Sequence, residues 1–194
     1  MLPTKEAAAA LLREHVTDDY HLHHALMVAV AMEGYAQRFA ASDASGSDAA
    51  TSGLNHPQVL DPSLGESSPV HRPAQNEDPL LWYVTGLLHD IDFQEHPDTH
   101  PGPSLHWFKE WGFPDSLIHA VEAHAYGYHG FATLPQTKLA AALVACDELT
   151  GIFYAYRKMN PLRYGDMKAS SIRKKFKDPG FAAKIDSAAK THMR

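Results

Sequence analysis

The sequence predicts an all-α protein, and three observations lead to that prediction. Apolar residues recur at helical spacing through most of the chain, and helix-capping residues stand where these segments begin. No pair of alternating runs joined by a hairpin turn is visible, and no segment repeats. With 194 residues, the chain (1–194) is predicted to bury its core as one domain.

Two helices are predicted in the first part of the chain. The first covers residues 5 to about 16 and is rich in Ala and Leu. The second runs from about residue 20 to 41, after the cap candidates Thr17, Asp18 and Asp19. Its central segment ALMVAVAM is apolar on nearly every side, which predicts that this helix is buried over most of its surface.

A sharp change of composition follows at residues 42–77. This segment is rich in Ser, Gly, Pro and Asp and shows no sustained apolar period. Such a composition cannot bury enough apolar area to offset the entropy of ordering the chain. The segment is therefore predicted to be a flexible loop inserted in the domain.

Helices resume at Asp78, a natural N-cap that is followed by Pro79 at the first helical position. This third helix is predicted to end at about His89. The remaining helices are predicted in 101–112 with Gly112 as the stop, in 113–127, from Pro135 to the pair Asn160 and Pro161, around 171–178, and after Asp178 and Pro179.

Composition and charge narrow the classes of function. The net charge of −6 argues against nucleic acid or an anionic membrane as the main partner. The single cysteine, Cys146, cannot form an intramolecular disulfide, so a cytoplasmic protein is expected. No apolar run approaches the roughly 20 residues of a membrane span, and the N-terminus lacks a convincing signal-peptide cleavage site. The oligomeric state is not indicated.

Histidine is the unusual feature of the composition, with 14 in 194 residues. Three of them, with three aspartates and one glutamate, fall in the fourteen-residue stretch LLHDIDFQEHPDTH at 87–100. Either this stretch is a solvated polar loop, or it belongs to a metal site at the end of the third helix. Polar residues on the other helices distinguish the two interpretations.

Helical phase places two histidines on buried faces. His24 lies on the apolar stripe of the second helix, although a lone histidine there is also compatible with an ordinary core position. In the fifth helix, His124 shares the core-facing stripe of Leu117 and Val121, whereas His119 lies on a more polar face. His124 is therefore the better candidate for a ligand.

Two carboxylates stand at the ends of apolar segments. The third helix ends in His89 and Asp90, whose side chains can reach one ion together, and imidazole and carboxylate suit Fe, Mn, Zn or Mg. Asp147 follows the apolar run LAAALVAC, where a carboxylate is costly to bury unless it is paired or bound to metal; a half-exposed acid is the alternative. One shared metal centre explains these residues better than separate coincidences.

The order of these residues resembles the HD superfamily of metal-dependent phosphohydrolases. HALMVAVAM is similar to the opening histidine motif, GLLHDID to the His-Asp motif, and ACDELTG to the closing aspartate motif. The tail SIRKKFKDPGFAAKID is also similar to the end of the HDIG-type branch of small bacterial proteins. The resemblance covers about residues 15–40 and 78–187, and it implies an HD-domain helical bundle with the metal site between helices.

The resemblance also implies a cofactor, a divalent transition metal bound as one or two ions of Fe, Mn, Zn or Mg. The primary ligands would be His24, His89, Asp90 and Asp147. In members with two metals, two further histidines correspond to positions in this sequence, and the aspartate of the His-Asp pair bridges both ions. These additional ligands would be His100 and His124.

The implied activity is metal-assisted hydrolysis of a small phosphorylated substrate such as a nucleotide, as a phosphomonoesterase or a phosphodiesterase. Asp90 and Asp92 are the expected catalytic residues, and Asp92 and Glu95 are also expected to order the ligands. Phe93 departs from the pattern, because many relatives have a phosphate-holding lysine at that position. The cations available to a phosphate are Lys138, Arg157, Lys158 and Arg173 to Lys175.

Two other functions stay open at the level of the sequence. One is a non-catalytic metal- or ligand-binding module, which the missing lysine and the long insert favour. The other is a di-iron oxygenase, because some HD-fold proteins with six ligands oxidise a substrate with oxygen. Neither the substrate nor the metal is indicated by the sequence.

Overall fold

The structure, a computed structural model, describes residues 1–45, 78–178 and 180. This part of the chain is helical and contains no β-strand, which confirms the predicted all-α class. A short 3₁₀ turn at Tyr164–Asp166, which was not predicted, joins the last two helices. The helices are α1 (Lys5–His15), α2 (Asp19–Ser45), α3 (Pro79–Leu88), α4 (Gly102–Glu110), α5 (Asp115–His124), α6 (Lys138–Met159) and α7 (Ala169–Phe176).

Local capping explains where several helices begin and end. Asp18, one of the three cap candidates, accepts a hydrogen bond from the backbone N–H of His21 at 3.0 Å. Asp78 accepts from the backbone N–H of Leu80 at 2.9 Å and so starts α3 as predicted. Gly112 follows α4 with a φ of 66°, a left-handed conformation that favours glycine and stops the helix.

Several helix boundaries differ by a few residues from the predicted ones, among them those of α2 and α6. α2 continues to Ser45, so its last turn lies in the segment that was predicted to be a loop. The rest of that predicted loop, 46–77, lies outside the described residues, as does the predicted last helix beyond residue 180. α6 begins three residues after Pro135, because the Thr137 hydroxyl caps it by accepting from the backbone N–H of Ala140 at 3.1 Å.

The close packing of α2 against α3 positions one of the predicted ligands, His89. A Cβ atom at Gly86 of α3 would stand 3.0 Å from the backbone N and Cα of Ala29 in α2, so any larger residue would force the two helices apart by a few tenths of an ångström. The contact brings the C-terminal end of α3, and with it His89, next to α2. The largest fully buried side chains around this contact and across the core are Trp82, Phe108, Met32, Leu81, Leu88, Ile91, Leu117 and Leu143.

α6 is an exception to the expectation that no segment is long and apolar enough to cross a bilayer. By length and composition alone Lys138–Met159 passes that test, with a mean hydropathy of 1.3 over its most apolar window, of which 28% is buried. Its inner face packs in the helical core through Leu139, Leu143 and Cys146. The absence of a membrane partner and the cytoplasmic location therefore stay predictions.

Candidate metal centre

The six predicted ligands come from different elements and meet in one place. The ligand atoms of all but Asp147 form two groups, and within each group the atoms lie within 4.8 Å of one another. Asp147 approaches the two histidines of the first group. These partly or fully buried groups could hold a metal ion. The residues are His24 on α2, His89 at the C-cap of α3, Asp90 directly after it, His100 before α4, His124 at the end of α5, and Asp147 in the middle of α6.

The first group is built around one oxygen of Asp90. This atom, Oδ2, lies 3.2 Å from Nε2 of His89 and 3.7 Å from Nε2 of His24. Oδ1 of Asp147 approaches the same two nitrogens, at 3.0 Å from His24 and 3.7 Å from His89. Two imidazole nitrogens and two carboxylate oxygens therefore face a common point, a donor set that suits Fe, Mn or Zn.

The second group uses the other oxygen of Asp90. This atom, Oδ1, lies 3.2 Å from Nε2 of His100 and 3.5 Å from Nε2 of His124. The two Nε2 atoms are 3.1 Å apart. Asp90 thus belongs to both groups through different oxygens, which fits the bridging role that the family resemblance implies.

The outward nitrogens of two rings are held by the backbone. Nδ1 of His89 donates to the carbonyl oxygen of Gly86 at 2.8 Å, and Nδ1 of His124 donates to the carbonyl oxygen of Val121. A carbonyl can only accept, so in the neutral ring the proton is on Nδ1 and the lone pair is on Nε2. These lone pairs point into the centre, where they can bind a cation.

In the other two rings, side chains contact the Nδ1 atom, so these rings also turn Nε2 toward the centre. Nδ1 of His24 is 3.4 Å from the hydroxyl of Thr150, which donates its own proton to the carbonyl oxygen of Asp147 at 2.9 Å. Nδ1 of His100 donates to Oδ1 of Asp92 at 2.6 Å. All four imidazoles therefore present Nε2 to the centre, as metal-ligating histidines with a fixed tautomer do.

Asp92, which was expected to be catalytic, lies behind His100. It is fully buried, and its Oδ2 accepts from the backbone N–H of Ser104 at 3.0 Å while its Oδ1 accepts from His100. Both oxygens are occupied, so Asp92 orients the ring of His100, and its expected catalytic role stays a prediction. Glu95, expected in a similar role, lies 3.5 Å from Nδ1 of His15 instead.

The electrostatics of the cluster favour added positive charge. Burial acts to lower the pKa of His100, yet hydrogen bonds to Asp90 and Asp92 outweigh burial and raise this pKa to about 9. For His89, burial is likewise outweighed by Asp90 and Asp147, and its pKa lies well above its ordinary value. The same negative charges that attract a proton here attract a metal ion, and the two compete for the rings.

An aromatic rim, formed by Tyr20, His21 and Phe93, borders both groups and was missed by the sequence analysis. Tyr20 stacks near the ring of His24, with 6.3 Å between ring centroids, and Phe93 packs edge-on against His100 at 5.3 Å. His21 lies between them, 5.4 Å from Tyr20 and 5.6 Å from Phe93. Tyr20 is one helical turn before His24, and that spacing was the available signal.

Several of the cations expected to bind phosphate have other partners in the described part of the chain. There, the ion-pair partners of Asp90 and Asp147 are histidines. Lys175 pairs with Asp178 at 3.3 Å. Three other cations stand over aromatic rings: Lys138 over Phe39, Arg157 over Tyr164 and Lys158 over Tyr154.

Comparisons with known proteins returned no match, whether against protein-family models, curated proteins or solved structures. The resemblance to the HD superfamily therefore rests on the motifs of this sequence alone and stays a prediction. The convergence of the His and Asp side chains is independent of that resemblance, since it follows from the coordinates.

Proposed function

We propose that this protein is an HD-type metal-dependent phosphohydrolase with two ion positions that share Asp90. The observation that carries the proposal is the inward convergence of four imidazole Nε2 atoms on two carboxylates, while the Nδ1 atoms are all engaged elsewhere. Nε2 of His24 and Nε2 of His89 lie 3.3 Å apart, close enough for one ion to bind both. The donor set thus fits divalent metal ions.

The chain's own residues would hold and order the two ions. His24, His89 and Asp147 would bind the first ion, and His100 and His124 the second, with Asp90 contributing one oxygen to each. Bound divalent ions would supply Lewis acidity toward the phosphoryl oxygens and would lower the pKa of a coordinated water toward about 7.

Access to the centre is provided by its carboxylates. The side chain of Asp90 is 21% exposed and that of Asp147 is 30% exposed, whereas His89 is fully buried. A substrate would therefore approach over the two carboxylates, beside the aromatic rim. Tyr20 and Phe93 would contact the part of the substrate next to the phosphoryl group and exclude water from that side.

A non-catalytic metal-binding module is the second candidate, and a specific observation favours it. Phe93 stands where many relatives have a phosphate-holding lysine, and its ring packs on His100. A module of this kind would bind the same ions without turning over a phosphoester. The di-iron oxygenase remains a third proposal, and redox-sensitive absorbance of an iron-loaded sample would favour it.

Hydrolysis assays on matched variants test the proposal. Metal-replete protein is offered p-nitrophenyl phosphate, bis(p-nitrophenyl) phosphate and a panel of nucleotides, in parallel with Asp90→Asn and Asp98→Asn. Asp98 is an exposed carboxylate in the same stretch of sequence and serves as the control. We expect Asp90→Asn to lower the rate at least about a hundredfold, since losing a ligand costs more than losing a residue that orients one. Asp98→Asn should keep the wild-type rate of hydrolysis.

Three outcomes would count against hydrolysis at this centre. If metal-replete protein turns over none of these substrates although it binds metal, the non-catalytic module is favoured. If both variants lose activity equally, or neither does, the activity does not arise at this centre.

A further inference from the structure

An apolar groove lies between α2 and α6, and the proposed hydrolysis makes no use of it. Its volume is about 440 Å³ and its wall is almost entirely apolar. Leu26 and Val30, one turn apart on α2, line it together with Leu149 and Phe153 of α6. Leu26 is 47% exposed and Val30 is 56% exposed. Neighbouring apolar side chains that are open to water in this way mark a surface that binds another apolar surface.

The outer surface of α6 needs the same kind of partner. The most apolar window of this helix has a mean hydropathy of 1.3, yet only 28% of the window is buried. Leu139 and Leu143 of α6 are buried in the core, whereas Leu149 and Phe153 line the groove. A groove between helices accepts the apolar face of a further helix, whose side chains at i, i+4 and i+7 fill it. The groove therefore fits an amphipathic helix.

The chain enters a new helix directly after α7, which packs against α6. Oδ1 of Asp178 accepts a hydrogen bond from the backbone N–H of Gly180 at 3.0 Å. Asp78 starts α3 through the same contact, and a proline follows the aspartate in both places. Gly180, the last described residue, is helical. Residues 181–194 thus follow a capped helix start on the side of the fold where α6 and α7 meet.

The sequence of 181–194 has the pattern of an amphipathic helix. At 1.5 Å per residue, a helix of this length extends for about 21 Å. One face is predicted to be apolar except for His192, and it carries Phe181, Ala182, Ile185, Ala188, Ala189 and Met193. The opposite face carries Ala183, Lys184, Asp186, Ser187, Lys190 and Thr191. The apolar face has the spacing of anchors that a groove between two helices accepts.

Other occupants fit the groove less well. Segment 46–77 shows no sustained apolar period, so it lacks a face of matching anchors. A second copy in a two-fold dimer would set groove against groove, which leaves both concave surfaces unfilled. Residues 181–194 are also basic, with three cations and one acid, whereas the whole chain has a net charge of −6. Charge attraction therefore favours contact of this segment with its own chain.

We propose that residues 181–194 form an amphipathic helix that lies in the groove between α2 and α6. Phe181 and Ile185 fill the groove, and their partners are side chains of both walls, Leu26, Val30 and Phe153. The polar face of the segment stays in water. This contact covers the open apolar surface of α6, and it does not depend on the proposed hydrolysis.

Photocrosslinking in the full-length protein locates the segment. One variant is Ile185→p-benzoylphenylalanine, and its control is Ala183→p-benzoylphenylalanine on the opposite face of the predicted helix. We expect the substitution at Ile185 to crosslink within one chain to residues 26–31 or 149–153, and the control to form little of this product. Crosslinks from Ile185 to another part of the surface, crosslinks between two copies, or none at all would overturn the proposal.

Hydrogen exchange of the segment measures the contact independently. Leu26→Glu places a charge in the groove, and we expect it to speed the exchange of the amides of 181–194 at least about tenfold, because a charge is costly to bury against apolar side chains. Leu134→Glu makes the same change at a leucine that is 49% exposed and lies outside the groove, and it should leave this exchange unchanged. The amides of α3 should keep their protection in both variants.

Two results of the exchange experiment would contradict the proposed contact. One is equal exchange of 181–194 in the two variants. The other is a wild-type protein in which these amides exchange as fast as those of an unfolded chain.

Discussion

The two histidines of α5 offer the sharpest mutational comparison, because they share a helix and only one of them belongs to the candidate centre. Nε2 of His124 lies 3.5 Å from Asp90 and 3.1 Å from Nε2 of His100. His119 belongs to neither ligand group, and its Nε2 is buried without a hydrogen-bond partner in the described part of the chain. The perturbations are His124→Ala and His119→Ala.

The expected magnitude follows from the donors that each variant keeps. In His124→Ala the second position retains only His100 and one oxygen of Asp90, while the first position is intact. Removing even a residue that merely orients a ligand typically lowers metal affinity about 10–100-fold, so losing the ligand itself should empty the second position. Metal content should fall from two ions to one, and hydrolysis should fall at least about tenfold.

His119→Ala should leave metal content and hydrolysis unchanged, because no bond to the centre is lost. Its free energy of unfolding should change by no more than about 1 kcal/mol, since the buried Nε2 atom that is removed makes no hydrogen bond in the described part of the chain. The assay is elemental analysis after metal loading, followed by phosphoesterase rates on both variants side by side. If His119→Ala loses metal while His124→Ala keeps it, the assignment of His124, and not His119, to the centre is refuted.

Three further predictions concern packing, pH and thiol reactivity. Gly86→Ala should lower the free energy of unfolding by roughly 1–3 kcal/mol in urea melts, because its Cβ meets the Ala29 backbone at 3.0 Å; an unchanged midpoint would contradict this contact. In metal-free protein the raised pKa of His100, about 9, adds stability that is present below about pH 6.5 and lost as pH rises through 9. Metal requires the neutral ring, so the gain in Tm on adding Zn²⁺ should grow from pH 6 to pH 9, and a shrinking gain would refute this. Burial and then Asp147 raise the pKa of Cys146 to about 11, so iodoacetamide at pH 8 should modify it only after unfolding; rapid labelling of folded protein would show that the thiol is accessible.

Local sequence signals predicted most of the fold because they act over one helical turn. The cap at Asp78 and the glycine stop at Gly112 stand where the structure has them. The start of α6 was placed too early because Pro135 was taken as the first helical residue, while the Thr137 hydroxyl forms the actual cap. Both are common helix-start residues, and only the hydrogen-bond geometry distinguishes them.

The candidate site was predictable in part, and the limit again has a physical cause. His24 and His124 follow from helical phase, since each lies on an apolar stripe. His100 lies in a turn, where phase gives no direction, and it entered only through the family resemblance. Its contact with Asp92 depends on how the turn at 90–101 folds back on itself, which no periodicity reports.

Features that depend on two helices meeting were not predictable from either helix alone. The groove requires the register of α2 against α6, which is set by the packing of the whole bundle. The aromatic rim was predictable only in part. Tyr20 could be placed from its spacing to His24, whereas Phe93 approaches His100 only through the turn that follows α3.

The metal content of the purified, metal-replete protein tests most directly whether the six side chains form one shared centre. Inductively coupled plasma mass spectrometry should find two ions per chain, one for each ligand group. Because Asp90 contributes an oxygen to both groups, Asp90→Asn should lose both ions while the exposed Asp98→Asn keeps them. A wild-type protein that holds no more metal than Asp90→Asn would contradict the shared centre, and with it the proposed hydrolysis.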